Sequence, residues 1–508
     1  MRYRLSVFAF FLLFIPLGSM GQEHWWKGDS VLYDKEILLS NPVLLSLGKI
    51  DKSVDAGFAY TRLKPVPEHW AGYPEEVSRW RFKAEGITRV GRFCGSGMAA
   101  FSRMHEKDLS FRLTNHSELF YPFIVADTVS ASHHTETYKI AASGAWRMNS
   151  AWHLGGSSGY TGVIRHSRRD PRVLNNSSCI DLDLSAGYDT HARGIWTLSF
   201  GALFYKQSMD FNVYLPSSSE WYYVMRPFGQ FNKRYSARES NGESFFHNRL
   251  EKYVRFVFLR PEYNTVVRLK SGYASGRLET RNAGVYLNER IDRYVAPYMV
   301  SDIFRLTDKT VIYLAGQGRF ERRRGIERIY ERVAVNKESS LYNYELLATN
   351  KSFDSVHDEM TAKLGIRYSA IRTITGVRFV YERRKYDMTE YEKTYFARFD
   401  KSVVGGEMDF KWKTFRLAGH NLLSAYFKTG GARKRHLNMN SQTVVSERAY
   451  LRYEEGANRY WRFQNDLYFR LLPDSGEHFI RLSLIMGLKF WEGGGYSYDT
   501  SFSLSYMF

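Results

Sequence analysis

The chain has 508 residues, 16% of which are aromatic, and its formal net charge is +19. After the first twenty residues no apolar run is long enough for a membrane-spanning helix, which excludes a helical membrane protein. Cys94 and Cys179 are the only cysteines, and they lack the CxxC spacing of a metal or redox motif. We expect them to be two unconnected residues, although export would permit a disulfide.

The first residues predict export. Arg2 and Arg4 precede an apolar core from Leu5 to Leu17, and Ser19-Met20-Gly21 fits a small-x-small cleavage site. Residues 1–21 are therefore predicted to be a signal peptide. In an exported chain we expect no nucleic-acid partner. The positive charge is then explained by contacts with anions outside the cytoplasm or by solvated loops.

Residues 22–80 differ from the rest of the chain. Asn41 and Pro42 predict a helix start, with Asn41 as the cap and Pro42 at the first helical position. Leucine-rich residues follow, and Gly48 is a natural stop. A short helical segment is predicted here, followed by a first strand at 55–63.

Alternating apolar and polar residues recur from Arg79 onward. The clearest case is a pair of runs whose apolar members are Ile180, Leu182, Leu184, Ala186 and Tyr188, then Trp196, Leu198, Phe200, Ala202 and Phe204. This period of two predicts a hairpin with one oily face, and Asp181 and Asp183 on the other face indicate an aqueous interior. A tight turn is predicted near Ala370. Residues 221–340 are poorly phased, and residues 428–442 form a long connection on the periplasmic side, which indicates a missed strand or an unusual turn.

No catalytic, cofactor-binding or metal-ligating constellation stands out, so we expect no enzyme activity and no cofactor. His133-His134 lacks a further ligand at metal-site spacing. Basic clusters are more prominent, and each flanks a run with strand character. Their arginine forks suit phosphate, so they are candidate anion or lipopolysaccharide contacts, with solvated loops as the alternative. The candidate residues are Arg322, Arg323, Arg324, Arg383, Arg384 and Lys385.

The chain ends on an amphipathic strand. Apolar residues alternate from Ile480 to Phe490, a turn follows at Gly493-Gly494-Gly495, and the alternation resumes in Phe502, Leu504, Tyr506 and Phe508. This ending resembles that of the outer-membrane β-barrels of Gram-negative bacteria, in which the last strand is an assembly signal for the barrel assembly machinery. The resemblance implies an all-β fold in the cell outer membrane: a transmembrane antiparallel barrel of about 16–18 strands with a short N-terminal helical segment.

In a barrel, residues 22–80 would be a hatch in the lumen or a cap on the periplasmic mouth, and residues 81–508 would form the wall. Asn41-Pro42 also resembles the Asn-Pro-Ala of the hatch in the long-chain fatty-acid transporter family, from which Val43 departs. The leading hypothesis is a channel or transporter for a small solute. The alternatives are a non-conducting subunit of an uptake or secretion complex, with a receptor or lipoprotein partner, and, more remotely, an outer-membrane enzyme.

Overall fold

The structure is a computed structural model of the chain. It describes residues 38–507 except for 49, 66–72, 111, 122, 128, 170–171, 191–193, 213–220, 227–229, 236–242, 281–284, 336–341, 371–372, 392–394, 414–416, 437–442, 446–459, 471–478 and 492–495. The predicted signal peptide and Phe508 lie outside this part of the chain.

Most of the described residues are in β-strands. In the first half the strands are β1 Lys52–Lys64, β2 Glu76–Val90, β3 Phe93–Leu109, β4 Val125–Ala126, β5 Ala131–Arg147, β6 Trp152–Ser167, β7 Arg172–Asp189, β8 Ile195–Asn212, β9 Trp221–Arg226, β10 Gln230–Tyr235 and β11 Glu243–Arg260. In the second half they are β12 Thr265–Thr280, β13 Val285–Thr307, β14 Thr310–Ala334, β15 Tyr342–Ser369, β16 Thr373–Glu390, β17 Tyr395–Lys413, β18 Leu417–His436, β19 Thr443–Val445, β20 Tyr460–Arg470, β21 Phe479–Trp491 and β22 Tyr496–Met507. The helices are α1 Pro42–Leu47 and α2 Ser117–Phe120, with a 3-10 turn at Pro261–Tyr263.

Eighteen of these strands form one closed antiparallel barrel. Strand β1 closes it by pairing with β2 on one side and with the C-terminal strand β22 on the other. The remaining strands, β4, β9, β10 and β19, form a separate small sheet. The predicted fold class is confirmed, and the strand number lies at the upper end of the predicted range.

The two faces of the wall differ as the alternation predicts. Leu184 and Phe200 are 72% and 61% exposed on the outside, whereas Asp183 and Ser199 on the inward face are 3% and 0% exposed. An apolar outer face of this extent requires an apolar surrounding, and closure allows the wall to lie in lipid because no backbone edge is left unpaired. The protein is an integral β-barrel of the outer membrane.

The ends of the barrel are distinguished by their connections. At one end the turns are short, including 91–92, 261–264 and 308–309; at the other end the connections include 110–130, 213–242 and 437–459. Short turns mark the periplasmic end of outer-membrane barrels. The start of β1 and the end of β22 also lie there, since Asp55 pairs with Met507. No helix among the described residues has both the length and the apolar character needed to cross a membrane.

The structure also shows why the middle of the sequence is poorly phased. Strands β13, β14 and β15 have 23, 25 and 28 residues, whereas about 9–11 residues cross a bilayer. Short connections at 308–309 and 370–372 fix their periplasmic ends, so the excess length projects outward beyond the lipid. There both faces meet water, and the alternation that marks the membrane part is lost.

Two segments differ from their sequence-based placement. Strand β18 continues to His436 and pairs directly with β20, so these two strands are neighbours in the wall and the chain between them connects their outer ends. The prediction of a long periplasmic connection at 428–442 was wrong, because its first nine residues, 428–436, belong to β18. The first strand predicted at 55–63 is confirmed as part of β1 Lys52–Lys64, so the wall begins within the predicted N-terminal segment. Cys94 and Cys179 are both free.

Candidate functional site in the barrel lumen

Helix α1 lies inside the barrel near its periplasmic end. Asn41, which is fully buried, caps the helix by accepting a hydrogen bond from the Val43 amide at 2.9 Å. Its side-chain amide donates to the inward hydroxyls of Thr197 and Ser199 on β8, at 3.1 and 2.9 Å. The Asn-Pro pair therefore both starts the helix and attaches it to the wall.

Wall side chains hold the other end of α1 as well. Arg89 on β2 donates to the carbonyls of Leu45, Ser46 and Gly48 at 2.6–3.1 Å, which satisfies carbonyls that the helix end leaves without partners. Apolar helix residues pack against inward residues of the wall in one buried cluster, which contains Leu38, Leu44, Leu45, Ile87, Cys94, Ala145, Ile195, Val257, Leu259 and Val266. The helix is thus packed within the lumen rather than resting outside its mouth.

A second segment enters the lumen from the outer end. This inner loop, residues 110–130 between β3 and β5, contains α2 and β4. The ring of Phe120 lies 4.4 Å from that of His247 on β11, and Phe123 lies 5.5 Å from Phe353 on β15. The amide of Asn175 on β7 donates to the Leu113 carbonyl at 2.7 Å. The inner loop therefore contacts inward residues along much of one wall.

Two buried arginines hold the inner loop by its backbone. Arg290 on β13 donates to the Tyr121 carbonyl at 2.6 Å, and Arg249 on β11 donates to the Leu119 carbonyl at 3.4 Å. Both arginines also pair with Asp292, whose closest contact to each is 2.7 Å. We call the charged group around them the arginine network; its members are Arg249, Glu251, Lys270, Arg290, Asp292, Arg319, Glu321 and Arg323.

The lumen wall opposite the inner loop is built differently. Strands β22 and β1 carry mostly short inward side chains there, and β21 adds Ser483 between the longer inward residues Arg481 and Ile485. We call the short residues the seam wall: Gly57, Ala59, Thr61, Ser483, Ser501, Ser503 and Ser505. The Thr61 hydroxyl donates to that of Ser501 at 3.1 Å, and the hydroxyls of Ser483 and Ser503 are in contact. Asp55 and Arg481 lie 4.0 Å apart beside them. This wall is polar, and its side chains reach only a short way into the lumen.

The six predicted basic residues lie within strands and not at their ends, and they alternate between the two faces. Arg322 and Arg383 point outward and pair with Asp354 and Asp400, at 2.9 and 2.7 Å. Arg323 points inward and pairs with Glu321 in the arginine network. The rest of that network was missed from the sequence, because it lies in the poorly phased residues 221–340. The only signal of this network in the sequence would have been that its charged residues occupy the inward positions, which alternate with outward, exposed residues.

The terminal strand carries the predicted assembly residues on its outer face. Phe502, Leu504 and Tyr506 are 46%, 43% and 40% exposed, as a lipid-facing row requires. Their role as an assembly signal stays a prediction. Phe508 lies outside the described residues.

One hydroxyl–imidazole pair in the lumen invites comparison with a catalytic pair. Ser46 Oγ lies 2.8 Å from His153 Nδ1. However, the Ser46 hydroxyl donates to the Val43 carbonyl at 2.8 Å, so it must accept its second hydrogen bond from His153. A histidine that donates to a serine cannot remove its proton. Within the part of the chain that the structure describes, no group of three or more His, Cys, Asp or Glu could hold a metal ion.

Solved structures with a similar overall arrangement include iron and siderophore receptors. The ferripyoverdine receptor of Pseudomonas aeruginosa is 8% identical, with a TM-score of 0.38, and the match covers 90% of this chain and 72% of that one. The FrpB iron transporter of Neisseria meningitidis is 9% identical, with a TM-score of 0.40, covering 92% and 82%. The yersiniabactin receptor FyuA of Yersinia pestis is 9% identical, with a TM-score of 0.38, covering 91% and 80%. Scores this low carry no information on the ligand.

Comparison of the sequence, rather than of the structure, shows the family of the chain. No curated protein matches the sequence, and the predicted similarity to long-chain fatty-acid transporters is not shown by these comparisons. A family model described as a family of unknown function (DUF6850) matches residues 70–508, which include seventeen of the eighteen barrel strands. The chain belongs to this family.

Proposed function

We propose that the protein passes a small solute across the outer membrane along the seam wall. The observation that carries this proposal is the uneven filling of an 18-stranded barrel. About eight strands give an interior that wall side chains can fill, whereas barrels of 16–18 strands leave room for a channel. Here α1 and the inner loop pack against one side, and the side chains of the opposite wall are short.

The two inserted segments would restrict the passage from its two ends. Helix α1 enters at the periplasmic end as a hatch, and the inner loop enters from outside. The inner loop is also joined to the small outer sheet, because Val125 and Ala126 of β4 pair with Val224 and Tyr223 of β9. A ligand at the outer sheet could therefore move the inner loop through backbone hydrogen bonds.

Conductance of the purified protein in a planar bilayer tests the proposal. We expect the wild type to conduct, and we expect Ala59→Trp to reduce the conductance because the indole would fill the space in front of the seam wall. Ala99→Trp is the matched control, since Ala99 pairs with Ala84 on the lipid-facing side of β3 and its variant should conduct normally.

A silent protein would contradict the proposal. Silence together with co-purification of a receptor or lipoprotein at fixed stoichiometry would support the alternative of a non-conducting subunit. Turnover of a lipid or peptide that is abolished by one Ser or His substitution would instead support an enzyme.

A further inference from the structure

A groove runs across the lipid-facing side of the wall between β7 and β15. Its floor is an unbroken row of residues paired from strand to strand: Leu184, Phe200, Val254, Ser271, Val295 and Phe320. The groove has a volume of about 1020 Å³, at the upper end of the range of roughly 300–1,000 Å³ for ligand pockets. Ala202 and Ser271 leave it deep, because their side chains are small where the neighbouring strands carry large ones.

The next row toward the outside supplies positive charge. Lys252, Arg293 and Arg322 point outward in this row. The same row also contains Ala202 on β8 and Tyr273 on β12. Arg322 pairs with Asp354. Among the described residues, neither Lys252 nor Arg293 has an ion-pair partner. Two exposed cations without ion-pair partners among the described residues thus lie directly above a groove whose floor is apolar except for Ser271 and, at its β15 end, Asp358.

The height of this row places it at the outer boundary of the membrane. Counted from the periplasmic end of its strand, Lys252 is the ninth residue of β11 and Arg322 is the thirteenth of β14. A strand crosses the bilayer in about 9–11 residues. The row also extends over four neighbouring strands, β11 to β14, which spans roughly 14 Å at about 4.8 Å per strand. That width exceeds the size of a single phosphate and suits a head group with more than one phosphate.

We propose that this groove is a specific site for lipopolysaccharide, with acyl chains in the apolar groove and phosphates on Lys252 and Arg293. A free anion would leave the apolar floor unused. A phospholipid with a single phosphate would leave part of the cation row unpaired. Guanidinium and ammonium groups form charge-assisted hydrogen bonds with phosphate, and these are the strong ones in proteins. Of the six basic residues predicted from the sequence, only Arg322 belongs to this site.

The test is the lipid that remains bound when the protein is purified from outer membranes in detergent, quantified by mass spectrometry. We expect about one lipopolysaccharide per wild-type protein. The double variant Lys252→Ala/Arg293→Ala should retain roughly tenfold less, because it lacks both charge-assisted contacts. The matched control is Arg103→Ala/Arg168→Ala, which removes two exposed cations outside the groove, on β3 and in the connection after β6, and should retain the wild-type amount.

A third variant tests the groove separately. Ala202→Phe keeps both cations but fills part of the groove, and it should also retain less lipopolysaccharide. Thermal unfolding followed by circular dichroism establishes that all variants are folded. Equal retention in the charge variant and its control would overturn the proposal, as would retention of phospholipid in place of lipopolysaccharide, or displacement by inorganic phosphate alone. These outcomes do not depend on whether the lumen conducts.

Discussion

The two sides of the lumen are built from strands of the same closed sheet, but they differ in how far they are filled. On one side, the arginine network and the inner loop form a packed, polar interior in which Asp292 and Asn175 are fully buried. On the seam wall, strands of the same closed sheet carry glycine, alanine, serine and threonine, and no inserted segment is attached to them within the described residues. The difference indicates that filling is local: the chain packs one half of a wide barrel and keeps the side chains of the other half short.

The packed side should be the more sensitive to substitution. Arg290→Ala would leave Asp292 and Glu321 buried with one partner fewer and would remove the hydrogen bond to the Tyr121 carbonyl. Removing one member of a buried ion pair costs about 3–5 kcal/mol, and we expect a loss of that size in the free energy of unfolding measured with urea in detergent. The seam variant Ser503→Ala is the comparison and should change the free energy little. Equal effects at both positions would contradict the distinction between the two walls.

The lipid face gives the next largest effect. Leu184→Lys places a charge on an exposed outward position within the membrane part of β7. A lysine on the lipid face of a barrel costs about 2–4 kcal/mol near the bilayer midplane. Leu346→Lys is the matched control, because Leu346 is also exposed but lies far out on β15, beyond the lipid. The control should be near neutral, and a reversed order of the two costs would mean that the membrane is placed wrongly.

Much of the wall could be predicted from the sequence, since a membrane strand must alternate lipid-facing and inward residues. The hairpin of β7 and β8 and the last strand are examples, and the Asn41 cap could also be predicted from local chemistry. The inner loop could not. Its contacts with Arg249 and Arg290 join residues 130 and 169 positions apart, and no local pattern encodes them. The seam wall could not be predicted either, because short inward residues matter only once the opposite side is known to be filled.

The attachment of α1 should produce a smaller effect than the arginine network. Asn41→Ala removes the helix cap and two hydrogen bonds to β8, and a lost cap costs about 1–2 kcal/mol. Asn41→Asp is the informative partner: it keeps the cap oxygen but cannot donate to Thr197 and Ser199. If α1 is the hatch, conductance should rise in both variants. Unchanged conductance in two destabilised variants would indicate that α1 only stabilises the wall.

The smallest expected effect concerns the charge of the permeating ion. The chain carries a net charge of +19 before export, and inward cations such as Arg481 lie beside the seam wall. A basic lumen favours anions. The reversal potential in a salt gradient should therefore show a modest anion preference, which Arg481→Gln would reduce. A cation preference in the wild type would contradict a basic passage.

The most direct test of the seam-wall passage is thiol modification during conductance recording. Single cysteines are introduced by Ser503→Cys on the seam wall and Thr197→Cys beneath Asn41 on the packed side, with Cys94 and Cys179 replaced by alanine. A charged, water-soluble thiol reagent should reduce the current of the Ser503→Cys protein and leave that of the Thr197→Cys protein unchanged, because Thr197 is only 2% exposed. Block of the Thr197→Cys protein alone, or no block in either, would contradict passage along the seam wall.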